Sequence, residues 1–206
     1  MLVGPRATVT PISPSSPDRF PFIVTIANRI TIFRVWMIPV FCLMIFYYGP
    51  DRPALRLIAL FTYFLLSVTD GVDGYIARNY NQRTRLGTRL DPLADKLLVN
   101  LGFTFLAANI YFDPGVPQWF PALLLGRDIT IVMGAWAINK RMGQVTVRPT
   151  LLGKTTTVFQ MATMIGVLMQ VPFVPLLILS TTVLTCLSLL DYMAQGISQV
   201  RAQQAA

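Results

Sequence analysis

Six apolar stretches restrict the fold of this chain more than any other feature. Each is long enough to cross a bilayer, because a transmembrane helix needs roughly 20 mostly apolar residues. Of the 206 residues 54% are hydrophobic, a larger share than an ordinary soluble domain carries. The sequence therefore predicts an all-α polytopic membrane protein with six transmembrane helices. These spans are expected at residues 30–48, 54–77, 90–111, 119–138, 153–170 and 173–194.

The two ends of the chain differ from this apolar body. Residues 1–20 are rich in Pro and Ser and contain no apolar segment, which predicts a flexible tail and not a cleaved signal peptide. From about residue 21 to residue 29 we expect a short interfacial helix that leads into the first span. The membrane domain is thus assigned to residues 21–196, and a C-terminal tail to residues 197–206.

Basic residues predict the orientation, because cytoplasmic loops are enriched in Lys and Arg. The loop between spans two and three and the loop between spans four and five are both basic, whereas residues 112–118 and 170–175 contain no Lys or Arg. Arg52 and Arg56, after the first span, are a weaker opposing signal. We therefore expect both basic loops and both termini in the cytoplasm. An aromatic belt at the outer interface would consist of Tyr47, Tyr48, Tyr111 and Trp119.

Four aspartates interrupt the apolar pattern. Asp70 and Asp73 are one helical turn apart, as are Asp91 and Asp95, so each pair shares one face of its helix. A carboxylate inside a bilayer costs at least ~2.5–3.5 kcal/mol, so this group needs positive compensation. The chain contains no His, so a general base must be a carboxylate or a lysine, and only the aspartates are numerous enough. All-oxygen ligands favour hard cations, and the pattern predicts a Mg²⁺ or Mn²⁺ site near the cytoplasmic side.

Small and basic residues near the aspartates fit a phosphate-bearing substrate. Gly74, Ala77 and Gly87 would allow helix backbones and a bulky ligand to approach closely. Arg78 lies two turns from Asp70 at the water boundary, where a guanidinium could bind phosphate oxygens bidentately. A pyrophosphate would also fill the open positions of the metal ions.

Three other kinds of site could also contain such a group of aspartates. A structural ion network with Arg85, Arg89 and Lys96 would explain neither the glycines nor the spacing. A prenyltransferase also holds Mg²⁺ and a pyrophosphate on aspartates, but normally has two aspartate-rich loops and a longer chain. An ion or proton transporter would place acids in its pathway, yet would not require the Ala-Arg element or the arginine-rich loop.

The aspartate region resembles the CDP-alcohol phosphatidyltransferase family. All eight specified positions of that family's signature are matched by Asp70-x2-Asp73-Gly74-x2-Ala77-Arg78-x8-Gly87-x3-Asp91-x3-Asp95. The similarity extends from "ANRITIFRVWMIP" to about residue 195. The resemblance also implies six transmembrane helices and a homodimer, since members of the family are typically homodimeric.

The resemblance implies a role for each matched residue. Two divalent ions would bridge the diphosphate of a CDP-activated lipid, held by Asp70, Asp73, Asp91 and Asp95. Asp95 would also act as the general base, and Gly74 and Arg78 would contact the nucleotide diphosphate. Asn28 could contribute to the nucleotide site or could equally be a helix N-cap. Further parts of the nucleotide site would be Gly87, Thr84, Asn28 and Thr31.

The acceptor is predicted from the segment "RLDPLADKLLV" and a later Gly-Lys-Thr-Thr stretch. Both are most similar to the phosphatidylglycerophosphate synthase branch, which uses glycerol 3-phosphate. Arg127, in the middle of span four, could bind this acceptor or could neutralise its neighbours. Arg127-Asp128 replaces the more usual Arg-Glu, which leaves a CDP-diacylglycerol-dependent cardiolipin synthase open, and charge alone does not exclude inositol phosphate. The expected acceptor-binding residues are Arg127, Arg148 and Lys154.

The activity implied by the resemblance is phosphatidyl transfer from CDP-diacylglycerol to glycerol 3-phosphate. The protein would be integral to a bacterial inner membrane, with its active site facing the cytoplasm. The expected partners are the two substrates, membrane lipid and a second copy of the chain, and no nucleic acid.

Overall fold

The computed structural model describes residues 26–79, 85–142 and 150–204, which form six α-helices. Their side chains are described for residues 32–69, 93–140 and 150–200. In chain order the helices are α1 Ile26–Phe46, α2 Ala54–Asn79, α3 Arg85–Ala108, α4 Trp119–Met142, α5 Leu151–Met169 and α6 Val174–Gln204.

The prediction of an all-α polytopic membrane protein is confirmed. Within the described residues, three segments are long and apolar enough to cross a membrane: Trp119–Lys140, Leu151–Met169 and Val174–Val200. Shorter apolar segments, Ile32–Phe46 and Ala54–Thr69, belong to α1 and α2. The apolar part of α2 ends before Asp70, because its last turns carry charged residues.

Two predicted boundaries can be compared with the helices. Residues 26–29 form the first turn of α1, while residues 21–25 lie outside the described part of the chain, so the interfacial helix stays a prediction. At the other end, α6 continues to Gln204, so residues 197–204 are helical, and the domain boundary at residue 196 stays a prediction. Gln, Ala and Arg predominate there and are good helix formers, which accounts for the extension.

The helices form a ring. Each packs against the next in the order α1, α2, α5, α6, α4, α3 and back to α1, and α3 also contacts α5 across the middle. We call the end where α2 finishes and α3 begins the aspartate end. Buried hydroxyls join α5 to α6, since Thr163 and Thr181 share a hydrogen bond of 2.8 Å.

Polar side chains close the opposite end of the ring. The amide of Asn109 donates to the carbonyl oxygens of Ile45 at 2.7 Å and Tyr48 at 2.9 Å, which satisfies acceptors at the C-terminus of α1. Arg56 donates to the side-chain oxygen of Gln170 at 2.6 Å, and Gln170 donates to the Tyr48 hydroxyl at 3.1 Å. Arg56 therefore has a structural partner at this end. That contact accounts for a basic residue on the side where the predicted orientation expects few.

Candidate active site

Three helices meet in a layer of two aromatic rings and one glycine near the middle of the bundle. The rings of Phe41 in α1 and Tyr63 in α2 have centroids 5.7 Å apart. A Cβ added to Gly102 in α3 would lie 3.0 Å from Cε1 of Phe41. All three residues are buried, so this aromatic layer (Phe41, Tyr63 and Gly102) sets the relative heights of α1, α2 and α3.

Three charged positions lie at one level below the aromatic layer. Arg34 is seven residues before the layer residue of α1, Asp70 is seven after that of α2, and Asp95 is seven before that of α3. Seven residues make about two helical turns, ~10 Å, and return nearly to the same helix face. Because the helices alternate in direction, all three steps run toward the aspartate end. The positions of Arg34, Asp70 and Asp95 thus lie on the helix faces that meet in the aromatic layer.

The stripe that carries Asp95 is continuous with the core. Leu98 and Gly102, one and two turns further along α3, are both buried, and Asp91 lies one turn before Asp95 on the same stripe. Among the described side chains no group of three or more His, Cys, Asp or Glu residues could hold a metal ion. Three of the four predicted ligands fall outside that set, so the metal site stays a prediction. The predicted residues whose side chains lie outside the described set are Asn28, Thr31, Asp70, Asp73, Gly74, Arg78, Gly87 and Asp91.

Asp95 itself is partly buried, and its neighbours include the buried Tyr63 of α2. It interacts electrostatically with the hydroxyl of Tyr63. The hydroxyl oxygens of Tyr63 and Ser67, one turn apart, are buried and adjacent, and neither makes a hydrogen bond of good geometry to another group of the described structure. Buried polar atoms of this kind usually bind water, an ion or a ligand. Their chemistry fits a polar occupant between α2 and α3, as an oxygen-coordinated cation and its water would be.

Arg34 is a candidate site residue that the sequence analysis missed. It is only 1% exposed and lies within the apolar part of α1, at the level of Asp95. A buried guanidinium is costly unless carboxylates lie nearby, so its position at this level ties α1 to the aspartates electrostatically. The signal was available in the sequence, because Arg34 lies within the first predicted span just as Arg127 lies within the fourth.

A second polar group, the cationic cluster, joins α3 to α4 and consists of Lys96, Arg127 and Asp128. Oδ1 of Asp128 lies 3.0 Å from Nζ of Lys96 and 2.9 Å from Nη1 of Arg127. The Asn100 amide donates to the other carboxylate oxygen at 3.4 Å. The side chains of Arg127 and Asp128 are 10% and 17% exposed, so this cluster lies mostly inside the bundle.

Arg127 also reaches α6. Its Nη2 donates to the Ser188 hydroxyl at 2.9 Å, and its guanidinium lies 5.7 Å from the ring centroid of Tyr192. These contacts favour the structural interpretation of Arg127, as a link between α4 and α6. Its role in acceptor binding stays a prediction.

The remaining predicted residues lie in less defined places. Thr84 and Arg148 are outside the described residues, and Asn28 is inside the first turn of α1 and not at an N-cap position. Lys154 is exposed in the first turn of α5, a helix capped by the Thr150 hydroxyl, which accepts from the Gly153 amide at 2.9 Å. The structure brings Lys154 into no described contact with the cationic cluster.

Residues 24–190 match the family described as CDP-alcohol phosphatidyltransferase. The chain is 30% identical over 184 residues to a probable phosphatidylglycerophosphate synthase of Mycobacterium tuberculosis, covering 86% of this chain and 84% of the relative. A CDP-diacylglycerol–glycerol-3-phosphate 3-phosphatidyltransferase of Aquifex aeolicus is 31% identical over 185 residues, covering 86% of this chain and 98% of the relative. Human cardiolipin synthase (CMP-forming) is 30% identical over 128 residues, covering 62% of this chain and 39% of the relative.

Proposed function

Because this chain belongs to the CDP-alcohol phosphatidyltransferase family, we propose that it makes phosphatidylglycerophosphate. It would transfer the phosphatidyl group of CDP-diacylglycerol to glycerol 3-phosphate and release CMP. One observation carries the proposal: the positions of Asp70 in α2 and Asp95 in α3 lie two turns from the aromatic layer on the same side of it. The names of the bacterial relatives support glycerol 3-phosphate as the acceptor.

The reaction needs a base at the membrane boundary. Asp95 accepts the proton of an acceptor hydroxyl, and the hydroxyl oxygen forms a bond to the lipid-bearing β-phosphorus of CDP-diacylglycerol. The bond between that phosphorus and the oxygen bridging to CMP breaks, and CMP leaves with the electron pair. Asp95 suits this role because it is partly buried at the end of the core stripe, where its carboxylate can meet both an apolar lipid and a polar acceptor.

Divalent ions fit the residues present. Members of the family are generally metal-dependent, and Asp70, Asp73, Asp91 and Asp95 would hold two Mg²⁺ or Mn²⁺ ions. When bound, such ions neutralise the charge of the transferring group and of the departing CMP. The orphaned hydroxyls of Tyr63 and Ser67 support a polar occupant close to these carboxylates.

The nucleotide would bind beside the aspartates. Gly74 and Arg78, in the last turns of α2, would contact the diphosphate, and Arg78 offers a bidentate pair of donors. Gly87 lies in the first turn of α3 and leaves room for the ligand. The softer members of this proposed site are Thr84, Asn28 and Thr31.

The membrane setting follows from the same assignment. The protein is integral to a membrane, and we place its aspartate end at the cytoplasmic face of a bacterial inner membrane, where CMP can leave to water. The catalytic domain would comprise residues 21–196, and two copies would form a homodimer. Acceptor phosphate would be bound by basic residues near the aspartate end, with Arg127, Arg148 and Lys154 as the first candidates.

A cardiolipin synthase is the second candidate. The Arg127-Asp128 pair of α4 and the similarity to the human cardiolipin synthase support it. Its acceptor would be phosphatidylglycerol, which carries one phosphodiester charge and two acyl chains. A third acceptor, inositol phosphate, is chemically compatible with the same basic residues.

The deciding experiment incubates the purified protein with CDP-diacylglycerol, Mg²⁺ or Mn²⁺ and each of the three acceptors, and identifies the lipid product by mass. We expect phosphatidylglycerophosphate as the main product, CMP as co-product and no turnover in EDTA. Cardiolipin formed from phosphatidylglycerol while glycerol 3-phosphate is ignored would replace the proposed acceptor. Ion or proton flux in proteoliposomes without CMP release would instead indicate a transporter.

A further inference from the structure

Lys96 places a positive charge beside the proposed base. It follows Asp95 directly in α3, and a step of one residue turns about 100° around a helix. Its ammonium is directed to α4, where Nζ lies 3.0 Å from Oδ1 of Asp128. The neighbours of Asp95 include Tyr63 of α2. Asp95 and Lys96 therefore lie on adjacent faces of α3, with α2 beside the first and α4 beside the second.

The charges of the cationic cluster do not balance. Asp128 is a single carboxylate shared by two cations, Lys96 and Arg127. Counted over the described side chains in contact, one positive charge is left over in this group. Such an excess is costly in a membrane protein, and an anion bound at the cluster would relieve it.

Of the two cations, Lys96 is the one that a ligand can reach. Arg127 is 10% exposed, with Nη1 on Asp128, Nη2 on Ser188 and its plane beside the Tyr192 ring. The side chain of Lys96 is 41% exposed. An ammonium has three N–H donors, and Asp128 takes one of them, so two remain for another acceptor group.

We propose that Lys96 binds the phosphate group of the acceptor substrate and that Asp128 positions the Lys96 ammonium for it. This inference rests on the proposed function, because it requires a phosphate-bearing acceptor. Glycerol 3-phosphate carries its phosphate and its reacting hydroxyl at opposite ends of a three-carbon chain. A cation one residue from the base holds that phosphate while the hydroxyl faces Asp95. In this arrangement Lys96 replaces Arg127 as the cation that meets the acceptor phosphate, and Arg127 supports Asp128.

The test compares KM values of purified variants for both substrates. Lys96→Met removes the charge but keeps an unbranched side chain, and it should raise KM for glycerol 3-phosphate at least ~10-fold, as expected for a lost charged hydrogen bond. KM for CDP-diacylglycerol should change less than about twofold. Lys96→Arg keeps the charge and should stay close to wild type. The matched control is Lys140→Met. Lys140 lies near the C-terminus of α4, about three turns from the cationic cluster, with Nζ 5.2 Å from the centroid of the Trp136 ring.

A double variant separates phosphate binding from a structural role. If Lys96 only neutralises Asp128, Lys96→Met/Asp128→Asn removes the carboxylate together with its cation and should restore KM for glycerol 3-phosphate. If Lys96 binds the phosphate, KM stays high in the double variant. Asp128→Asn alone keeps the cation but releases it, so it should raise this KM less than Lys96→Met does.

A binding measurement makes the test independent of turnover. Glycerol 3-phosphate should raise the thermal unfolding temperature of wild type and of Lys96→Arg, but not of Lys96→Met. Equal KM values and equal thermal shifts in wild type and Lys96→Met, or recovery in the double variant, would overturn the inference while the proposed function stands. If wild type uses phosphatidylglycerol and ignores glycerol 3-phosphate, the proposed function fails, and the same comparison of KM with phosphatidylglycerol decides the role of Lys96.

Discussion

Arg34, Asp95 and Lys96 carry charges in a part of the bundle where charges are expensive, and each has a different relation to the core. Arg34 is almost completely buried, Asp95 is partly buried beside Tyr63, and Lys96 is the most accessible of the three. Exposure thus increases from Arg34 through the proposed base Asp95 to Lys96, the proposed ligand of the acceptor phosphate.

The first prediction concerns Asp95. Asp95→Asn preserves the shape of the side chain but cannot accept the proton of the acceptor, so CMP release should fall at least ~10²-fold. Binding of CDP-diacylglycerol, measured separately, should be largely retained. Asp113→Asn, in the exposed loop after α3, is the matched control and should leave activity unchanged. Substantial turnover by Asp95→Asn would rule out the proposed base.

The second prediction concerns Arg34. Arg34→Met keeps an apolar side chain of similar length but removes the buried cation that faces the aspartate level. Loss of one partner from a buried charge group typically costs ~3–5 kcal/mol, and the remaining carboxylates then depend more on bound metal. Chelation by EDTA should therefore lower the thermal unfolding temperature of this variant more than that of wild type.

Arg52→Met controls for the loss of one Arg, because Arg52 is exposed in the loop between α1 and α2. It should respond to EDTA as wild type does. An equal response of wild type and Arg34→Met would show that Arg34 is not coupled to the carboxylates.

At the scale of helices, the close approach of α3 to α1 and α5 determines where Asp95 lies. A Cβ on Gly102 would meet Cε of Met164 in α5 at 2.7 Å and Cε1 of Phe41 in α1 at 3.0 Å. Met164 can bend away, but the Phe41 ring is held against Tyr63. Glycine at this position thus keeps α3 close to α1, so that the position of Asp95 lies at the level of Arg34 and Asp70.

The third prediction tests this contact. Gly102→Val should destabilise the protein by ~1–3 kcal/mol through overpacking, and should lower kcat because α3 carries the proposed base. Gly134→Val in α4 is the matched control, since a Cβ there meets no atom within 4 Å. Thermal unfolding and CMP release measure the two effects. Equal stability and activity of the two valine variants would contradict the assigned role of Gly102.

For the whole molecule, the ring places the two charged groups on different sides of α3. The aspartate positions lie toward α1 and α2, and the cationic cluster lies toward α4 and α6. A lipid donor and a small anionic acceptor can thus approach the same base from different helices. The basic loops predict that the aspartate end faces the cytoplasm.

The fourth prediction tests that orientation. In a variant without the two native cysteines, buried Cys42 and exposed Cys186, a single cysteine is introduced by Asp113→Cys or by Lys140→Cys. A membrane-impermeant maleimide should label the first in intact bacterial cells, and the second only after the membrane is permeabilised. The reverse pattern would place the aspartate end outside the cell and contradict the release of CMP into the cytoplasm.

Much of the fold could be predicted from the sequence because spans depend on local composition. The six predicted spans each coincide with a helix, and the spacing of Asp91 and Asp95 placed both on one face of α3. The ends were less predictable, since α6 continues through residues assigned to a tail. Helix propensity and not apolarity decides those last turns, and the loss of hydrophobic residues was interpreted as the end of the element.

The sequence by itself determined the number and type of the helices, the family and the spacing of the four aspartates, because periodicity and composition act over a few neighbouring residues. Only the tertiary structure decided that Arg34 joins the aspartate level and that Asp128 holds Lys96 and Arg127. Those relations join residues from different helices. They depend on helix heights set by the contacts of Phe41, Tyr63 and Gly102, which no local pattern contains.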